Sequence, residues 1–317
     1  MIFKRMLGAL GVGAPSVDTV LAASRVQPGG LVHGEVRIKG GDFDADIEYI
    51  ALGLVTRVES EHGEGEQIGL MEFHRVQVSG PFKLRTGEDK VVPFGFPVPW
   101  EAPITEIAGQ HLRGMAMGVR TELAIAKAVD KGDLDPLEIE PLASQEAVLR
   151  AFSQFGFQFK GADLERGHIY GIRQQLPFFQ EIEFYPPPQY SGQINEVELT
   201  LVAGPGGLDV IVEADKRAGR SSTDAIGRWQ VSHDQALHRD WASEINGWLA
   251  SLAQYSHGGF HQGGHDPYAH HGGGHRGGHH GSGMGSVVTA GAAGLVGGYV
   301  VADMAEEFFE GEEGEEE

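Results

Sequence analysis

Apolar and polar residues alternate along the chain from about residue 16 to about residue 127. The segment 31–39, for example, places apolar side chains on one face and charged ones on the other, as in a half-buried strand. Turns rich in glycine and proline separate these segments, and no helical periodicity intervenes. The pattern predicts an antiparallel β-sandwich. The positions expected to face its core are Val32, Gly34, Val36, Ile38, Ile50, Leu52, Leu54, Thr56, Val58, Met115, Met117, Val119, Thr121, Leu123 and Ile125.

Prolines limit what the middle of this region can form. Pro93, Pro97, Pro99 and Pro103 each lack the backbone N–H that a central strand would donate. We therefore expect an edge strand or a loop at this place in the sandwich.

A polar segment over residues 130–136 predicts a turn and a boundary between two domains, 1–130 and 131–255. A short helix is expected to follow. Ser144 would cap it, and Gly156 would end it. Val148, Leu149 and Phe152 would form its apolar side.

A second alternating region runs from about residue 157 to residue 231, with a turn at 204–207. From Leu237 onward the apolar positions take the period of one amphipathic helix of about twenty residues. Ser232 and Gln235 have the spacing of a capping box at its start. We expect the tryptophan-rich face of this helix to pack on the second sheet. The apolar positions of the helix are Leu237, Trp241, Ile245, Trp248, Leu249 and Leu252.

The segment 256–285 is rich in glycine and histidine and lacks the apolar residues of a core, which predicts a disordered linker. Neutral imidazoles bind zinc and nickel, so buffering or delivery of these metals is an alternative function. The preferred interpretation is a hydrophilic spacer with no metal bound for function. The histidines concerned are His257, His261, His265, His270, His271, His275, His279 and His280.

The apolar segment 286–302 carries small residues at every fourth position, a spacing that lets two helices approach closely. A helix over its sixteen residues 287–302 would span about 24 Å, short of a hydrocarbon core of about 30 Å. Self-association or shallow membrane contact is therefore expected, and an acidic tail, 303–317, follows. The small residues are Ser286, Ala290, Gly294, Gly298 and Ala302.

Composition and motifs narrow the function classes. The chain has no cysteine, which excludes thiolate metal sites and a cysteine nucleophile. A net charge of −21 argues against nucleic-acid binding, which needs a basic face. Phosphate-binding loops, zinc-protease helices and nucleophile elbows are absent from the sequence, so we expect no catalytic or cofactor-binding residues. A cleft with paired, strongly perturbed acids would instead favour a hydrolase or another enzyme.

Long stretches in the first 231 residues resemble the SpoOM family of sporulation-control proteins. They occur in the family's order and extend into both halves of the chain. The stretches are Met6–Thr19, Val26–Gly41, Val92–Pro99, Val119–Asp130, Asp135–Pro136, Leu176–Phe184 and Leu208–Asp215.

The resemblance implies an all-β, arrestin-like fold with two antiparallel β-sandwich domains and a short linker, to which the residues add short helices. It also implies a non-enzymatic scaffold that regulates sporulation or cell development through protein partners. The family pattern offers no catalytic or metal-binding residues. We expect a cytoplasmic protein, peripheral to the inner membrane where 286–302 makes contact, and a homo-oligomer where that segment self-associates.

Overall fold

A computed structural model describes residues 13–62, 65–216 and 225–257, which contain seventeen strands and three helices. The strands are β1 (Ser16–Leu21), β2 (Arg25–Val26), β3 (Leu31–Lys39), β4 (Ala45–His62), β5 (Gly65–Ser79), β6 (Phe82–Leu84), β7 (Asp89–Pro97), β8 (Glu106–Ile107), β9 (Gln110–His111), β10 (Met117–Ile125), β11 (Lys131–Pro136), β12 (Glu138–Ile139), β13 (Gln158–Arg166), β14 (Phe178–Tyr185), β15 (Ile194–Gly204), β16 (Gly207–Lys216) and β17 (Ala225–Val231). The helices are α1 (Ala143–Phe155), α2 (His233–His238) and α3 (Trp241–His257).

The first half is a β-sandwich. A three-stranded sheet, β1-β3-β7, packs against the strands β11-β10-β4-β5. The Thr19 and Thr121 hydroxyls join the two layers at 2.6 Å, and His74 lies 5.9 Å from the Phe96 ring across the core. The expected core positions are buried, except that Gly34 is half-buried. The alternation therefore predicted the sandwich correctly.

The proline-containing segment also lies where it was expected. Strand β7 contains Pro93 and Pro97 and is an edge of the three-stranded sheet, paired with β3 alone among the described strands. Pro99 and Pro103 lie in the loop that follows. Their missing donors are tolerated because neither position belongs to a central strand.

The second half is built on the antiparallel meander β13-β14-β15-β16-β17. One parallel pair, Glu165 with Glu59, links this meander to β4 of the first half. Within the described residues, three helices rather than a second sheet cover its inner face. The Phe152 ring of α1 lies 4.9 Å from Phe184, and the rings of Trp229 and Trp241 are 6.3 Å apart. The all-β class with short added helices is confirmed, and the tryptophan-rich helix face packs on the second sheet as expected.

The turn expected over residues 130–136 is wrong. Residues 131–136 form β11, which pairs with β10 and accepts the Thr19 N–H through Asp133 at 2.6 Å. An edge strand is paired on one side only and is partly exposed to solvent, so it can contain polar residues that a central strand could not. The domain bounds stay a prediction, although β11 continues the first half's sheet.

Two helix expectations need correction. Ser144 does not cap α1, because the helix begins at Ala143 with Leu142 as its N-cap, and the Gln145 side chain accepts the Leu142 N–H at 2.9 Å. Gly156 does end it, with φ 97°. The single twenty-residue helix is also wrong, since the chain is extended at Arg239 and Asp240 caps a new helix through Ser243. The capping box of Ser232 and Gln235 is confirmed at the start of α2.

Hydrogen bonds from the backbone and from one side chain fix the junction between the two halves. The Ala162 N–H in β13 donates to the Arg113 carbonyl at 3.3 Å. The Gln180 side chain both accepts from the Ile104 N–H at 3.0 Å and donates to its carbonyl at 2.8 Å. Residues far apart in the sequence thus hold the two halves in one arrangement.

Candidate functional site

The outer face of the second sheet, opposite the helices, carries a concentration of carboxylates that we call the acidic face. Glu183, Glu198 and Glu213 are direct cross-strand neighbours on β14, β15 and β16. Like charges directly opposite one another destabilise a sheet. Placing these three carboxylates side by side therefore lowers the stability of the folded protein. The acidic face consists of Asp163, Glu165, Glu181, Glu183, Glu196, Glu198 and Glu213.

A cavity of about 560 Å³ opens on the acidic face. Carboxylates from three neighbouring strands lie in it beside apolar side chains, and two arginines also line it. The lining residues are Arg166, Gly167, His168, Ile169, Tyr170, Phe179, Glu181, Glu198, Thr200, Ile211, Glu213, Ile226 and Arg228.

The loop 167–177 between β13 and β14 forms one wall of the cavity and is tied down at several points. The Gln174 amide donates to three backbone carbonyls and accepts the Ile169 N–H at 3.2 Å. Arg228 donates to the Tyr170 carbonyl from the sheet. Glu101 of the first half accepts the backbone N–H groups of Gln175 and Leu176 at 2.7 and 2.8 Å. The wall is therefore preorganised by contacts from both halves.

Replacing Glu101 with alanine is expected to loosen this wall without unfolding the protein. Two backbone donors lose a charged acceptor, which corresponds to about 1–2 kcal/mol of local stability. Hydrogen exchange should accelerate at Gln175 and Leu176. Glu101→Gln keeps one acceptor oxygen and should give an intermediate rate, whereas equal rates in all three proteins would contradict this role for Glu101.

Two carboxyl groups of the cavity have strongly perturbed acidity. Burial, reinforced by Glu198, Asp163, Glu165 and Glu213, raises the pKa of Glu181 to about 9. Burial and four neighbouring carboxylates likewise raise the pKa of Glu198 to about 7. The neighbouring groups that raise these two pKa values most strongly are all carboxylates.

Lys160 partly compensates the opposite end of the acidic face. Its ammonium group lies 2.5 Å from Glu196 and 3.4 Å from Glu183. Hydrogen bonding to Glu196 raises the pKa of Lys160, which keeps the ammonium charged. Lys160 therefore pairs with Glu183 and Glu196, which do not line the cavity.

The hydroxyl of Thr200 adds a second kind of polar group. This residue of β15 lines the cavity and is only 6% exposed. The cavity lining therefore offers a bound molecule a hydroxyl group as well as carboxylates.

Three carboxylates at the edge of the cavity, Asp163, Glu165 and Glu181, place oxygens within 4.8 Å of one another. Such oxygens suit hard cations, and three of them are half of the smallest ligand set that calcium takes. The group could hold a metal ion only together with water or another donor.

The described residues include one of the site residues predicted from the sequence. His257 is the last residue of α3, and the other seven histidines fall outside the described residues, as do Ser286, Ala290, Gly294, Gly298 and Ala302. The linker 256–285 beyond His257 and the acidic tail 303–317 also lie outside them. No helix within the described ranges is both long and apolar enough to cross a bilayer.

Sequence reasoning missed the acidic face. A signal was present in the alternating acids Glu181 and Glu183 on one strand and Glu196 and Glu198 on the next. Alternation of this kind usually indicates a solvated strand face, which is why it was not singled out.

Comparisons with known proteins agree on one family. The sequence model of the SpoOM protein family matches residues 3–218. The sporulation-control protein spo0M of Bacillus subtilis (strain 168) is 36% identical over 217 residues, which cover 68% of this chain and 81% of that protein. The crystal structure of Spo0M from Bacillus subtilis superposes with a TM-score of 0.66 at 30% identity, covering 77% of this chain and 99% of that one. The chain therefore belongs to the SpoOM protein family.

Proposed function

We propose that this protein is a non-enzymatic regulatory scaffold that binds protein partners through the acidic face. Membership of the SpoOM family and its sporulation-control relative support a regulatory role in sporulation. The observation that carries the scaffold proposal is the cavity on the acidic face, where a preorganised wall adjoins the crowded carboxyl groups of Glu181 and Glu198. Complementary charge steers partners to such a surface, so a crowded acidic cleft favours a partner that supplies positive charge.

Site-specific crosslinking in the native host tests this proposal. Tyr170 lies on the cavity wall and is 80% exposed, so p-benzoylphenylalanine in its place would contact any partner seated there. The same crosslinker in place of Val91, 53% exposed on β7 of the first half, is the matched control. We expect a discrete crosslinked protein from position 170 that position 91 does not give.

A different crosslinking result would contradict the proposal. If position 170 yields no adduct under sporulation conditions, or the same adducts as position 91, the acidic face is not the partner surface. A Glu198→Lys and Glu213→Lys variant gives a second measurement, because charge reversal should abolish the adduct at position 170 while leaving any adduct at position 91.

The perturbed acids in the cavity also favour a second candidate function, a carboxylate-dependent hydrolase. Glu181 and Glu198 combine raised pKa values with a cleft, which is the observation that would favour an enzyme. Glycoside turnover lost in Glu181→Gln would support the enzyme and contradict the scaffold.

The C-terminal extension supplies localisation in this proposal. Residues 286–302 would mediate self-association or contact with the inner membrane of a cytoplasmic protein, with 258–285 as a spacer. Fractionation and crosslinking of the full chain against a truncation to residues 1–256 test this part. A truncated protein that distributes like the full chain would remove the extension from the proposal and leave the acidic face unaffected.

A further inference from the structure

Polar side chains of strand β11 close the seam between the two layers of the first half. Asp133 and Asp135 lie at alternate positions of this strand and therefore share one of its faces. They pair with the buried Thr121 and Val119 of β10, so this face is the one turned towards the core. Strand β11 also contacts β1, an edge strand of the other layer. The two aspartates therefore lie where the two sheets meet.

Asp133 binds the backbone of β1 directly. Its Oδ2 atom accepts the N–H of Thr19 at 2.6 Å. Among the described strands β1 pairs with β3 alone, so Asp133 supplies an acceptor that a neighbouring strand would otherwise provide. The Thr19 hydroxyl adds a contact at 2.6 Å with that of Thr121 in the other layer. Asp133 and Thr19 thus fasten β1 across the seam.

Asp135 is poorly placed to carry a negative charge. Its Oδ2 atom is closed off from solvent and, within the described part of the chain, receives no hydrogen bond. The side chain is hydrogen-bonded to Asp133, and a hydrogen bond between two carboxyl groups requires a proton on one of them. Two carboxyl groups that share a site cannot both ionise at low cost. The geometry therefore favours one proton shared between Asp133 and Asp135.

We propose that β1 is held to the sandwich by a proton-dependent latch, in which the proton shared by Asp133 and Asp135 keeps Asp133 bonded to the Thr19 backbone. When this proton leaves, the buried Oδ2 atom of Asp135 becomes charged beside the charge of Asp133. Repulsion, and the hydration that a new charge requires, then separate β11 from β1. An unpaired edge strand is a template for pairing with another chain, so the latch makes exposure of this edge depend on pH. The inference concerns the first half and is independent of the acidic face.

The charged surroundings of Asp135 place the change near neutral pH. Asp18 acts on it from β1, and Asp133 and Lys131 share its face of β11. On this side β10 presents only uncharged residues. Burial, reinforced by Asp133 and Asp18, raises the pKa of Asp135 from 3.8 to about 7 in the closed seam. The stability that the proton gives the seam is therefore complete below about pH 3.8 and is lost as the pH rises through about 7.

Hydrogen exchange of the full chain tests the latch at the Thr19 amide. The protection factor, which corrects for the intrinsic pH dependence of exchange, should fall about tenfold to one hundredfold between pH 5 and pH 8. Asp135→Asn keeps the shape of the protonated side chain and stays neutral, so its protection factor at Thr19 should stay nearly constant. Asp89→Asn, at an exposed position of β7 in the same sheet as β1, should retain the wild-type dependence.

Urea separates the release of β1 from unfolding of the whole sandwich. A local opening exposes little surface, so about 1 M urea at pH 8 should leave exchange at Thr19 unchanged. The same urea should accelerate exchange at Leu52, which is buried in the central strand β4. Equal acceleration at both amides would show that β1 does not open separately, and the latch would be rejected.

The pH series can also overturn the inference. A Thr19 protection factor that is constant from pH 5 to pH 8 would contradict it, as would the same pH dependence in Asp135→Asn and the wild type. If Asp135→Asn does not fold, Asp133→Asn is the second variant. Its amide can donate to Asp135 without a shared proton, so the pH dependence at Thr19 should disappear there too.

Discussion

Replacing Gly114 with alanine is expected to lower the free energy of unfolding by about 3 kcal/mol, because the substitution adds a steric clash to backbone strain. Gly114 has φ +95°, and a Cβ there would lie 2.1 Å from the carbonyl oxygen of Ala162. That oxygen belongs to backbone in β13, which cannot rotate away. Thermal unfolding should show the change as a loss of about 6–12 °C in Tm.

Gly109 provides the matched control for this substitution. It also has positive φ, +78°, yet a Cβ there would meet nothing within 4 Å. Gly109→Ala should therefore cost only the backbone strain, about 1 kcal/mol. Equal losses in the two variants would show that the contact with Ala162 does not matter.

The position of the clash also predicts which part of the structure opens first. Arg113, next to Gly114, accepts the Ala162 N–H and donates to the Lys160 carbonyl. Moving residue 114 away from β13 breaks this part of the junction between the halves. Hydrogen exchange at Ala162 should therefore accelerate before the sandwich core of the first half is affected.

The first half was predictable because its strands are half-buried. A strand with one face in the core and one in solvent alternates apolar and polar residues, so its sequence shows a period of two. The strands β3, β4 and β10 show this clearly. Strand β11 lies at an edge and has no such contrast, since its residues are partly exposed on both sides, so its sequence resembles a turn.

Local sequence features explain why the start of α2 was predicted correctly and the break between α2 and α3 was not. The capping box at Ser232 was visible because its two partners are three residues apart. The interruption at Arg239 was missed because the apolar spacing continues across it, from Leu237 to Trp241. Leu237 is 50% exposed, so the period alone overstated the buried face.

The acidic face depends on long-range register, which a single sequence does not contain. Glu198 becomes the neighbour of both Glu183 and Glu213 only once β14, β15 and β16 are paired. The cavity wall likewise needs Glu101, which is 74 residues from Gln175 in the chain. The sequence therefore identifies the acidic residues, but it does not show that strand pairing brings their side chains together.

Glu181→Gln is expected to stabilise the protein at alkaline pH, by about 2–4 kcal/mol at pH 8.5. Burial and the neighbouring carboxylates raise the pKa of Glu181 in the folded protein from 4.5 to about 9. The folded chain therefore keeps a proton that the unfolded chain releases. The stability that this proton contributes is complete below about pH 4.5 and is lost as the pH rises through about 9.

Glutamine has nearly the same shape as protonated glutamate and stays neutral at every pH, so the variant isolates this effect. Denaturant unfolding at pH 5, 7 and 8.5 should give nearly equal stabilities at pH 5 and a growing advantage for Glu181→Gln above it. Glu48→Gln, an exposed residue of β4, should follow the wild type throughout. A constant difference between Glu181→Gln and the wild type across this range would mean that Glu181 is ionised in the fold. The acidic face would then already contain the counter-charge that we assign to a partner.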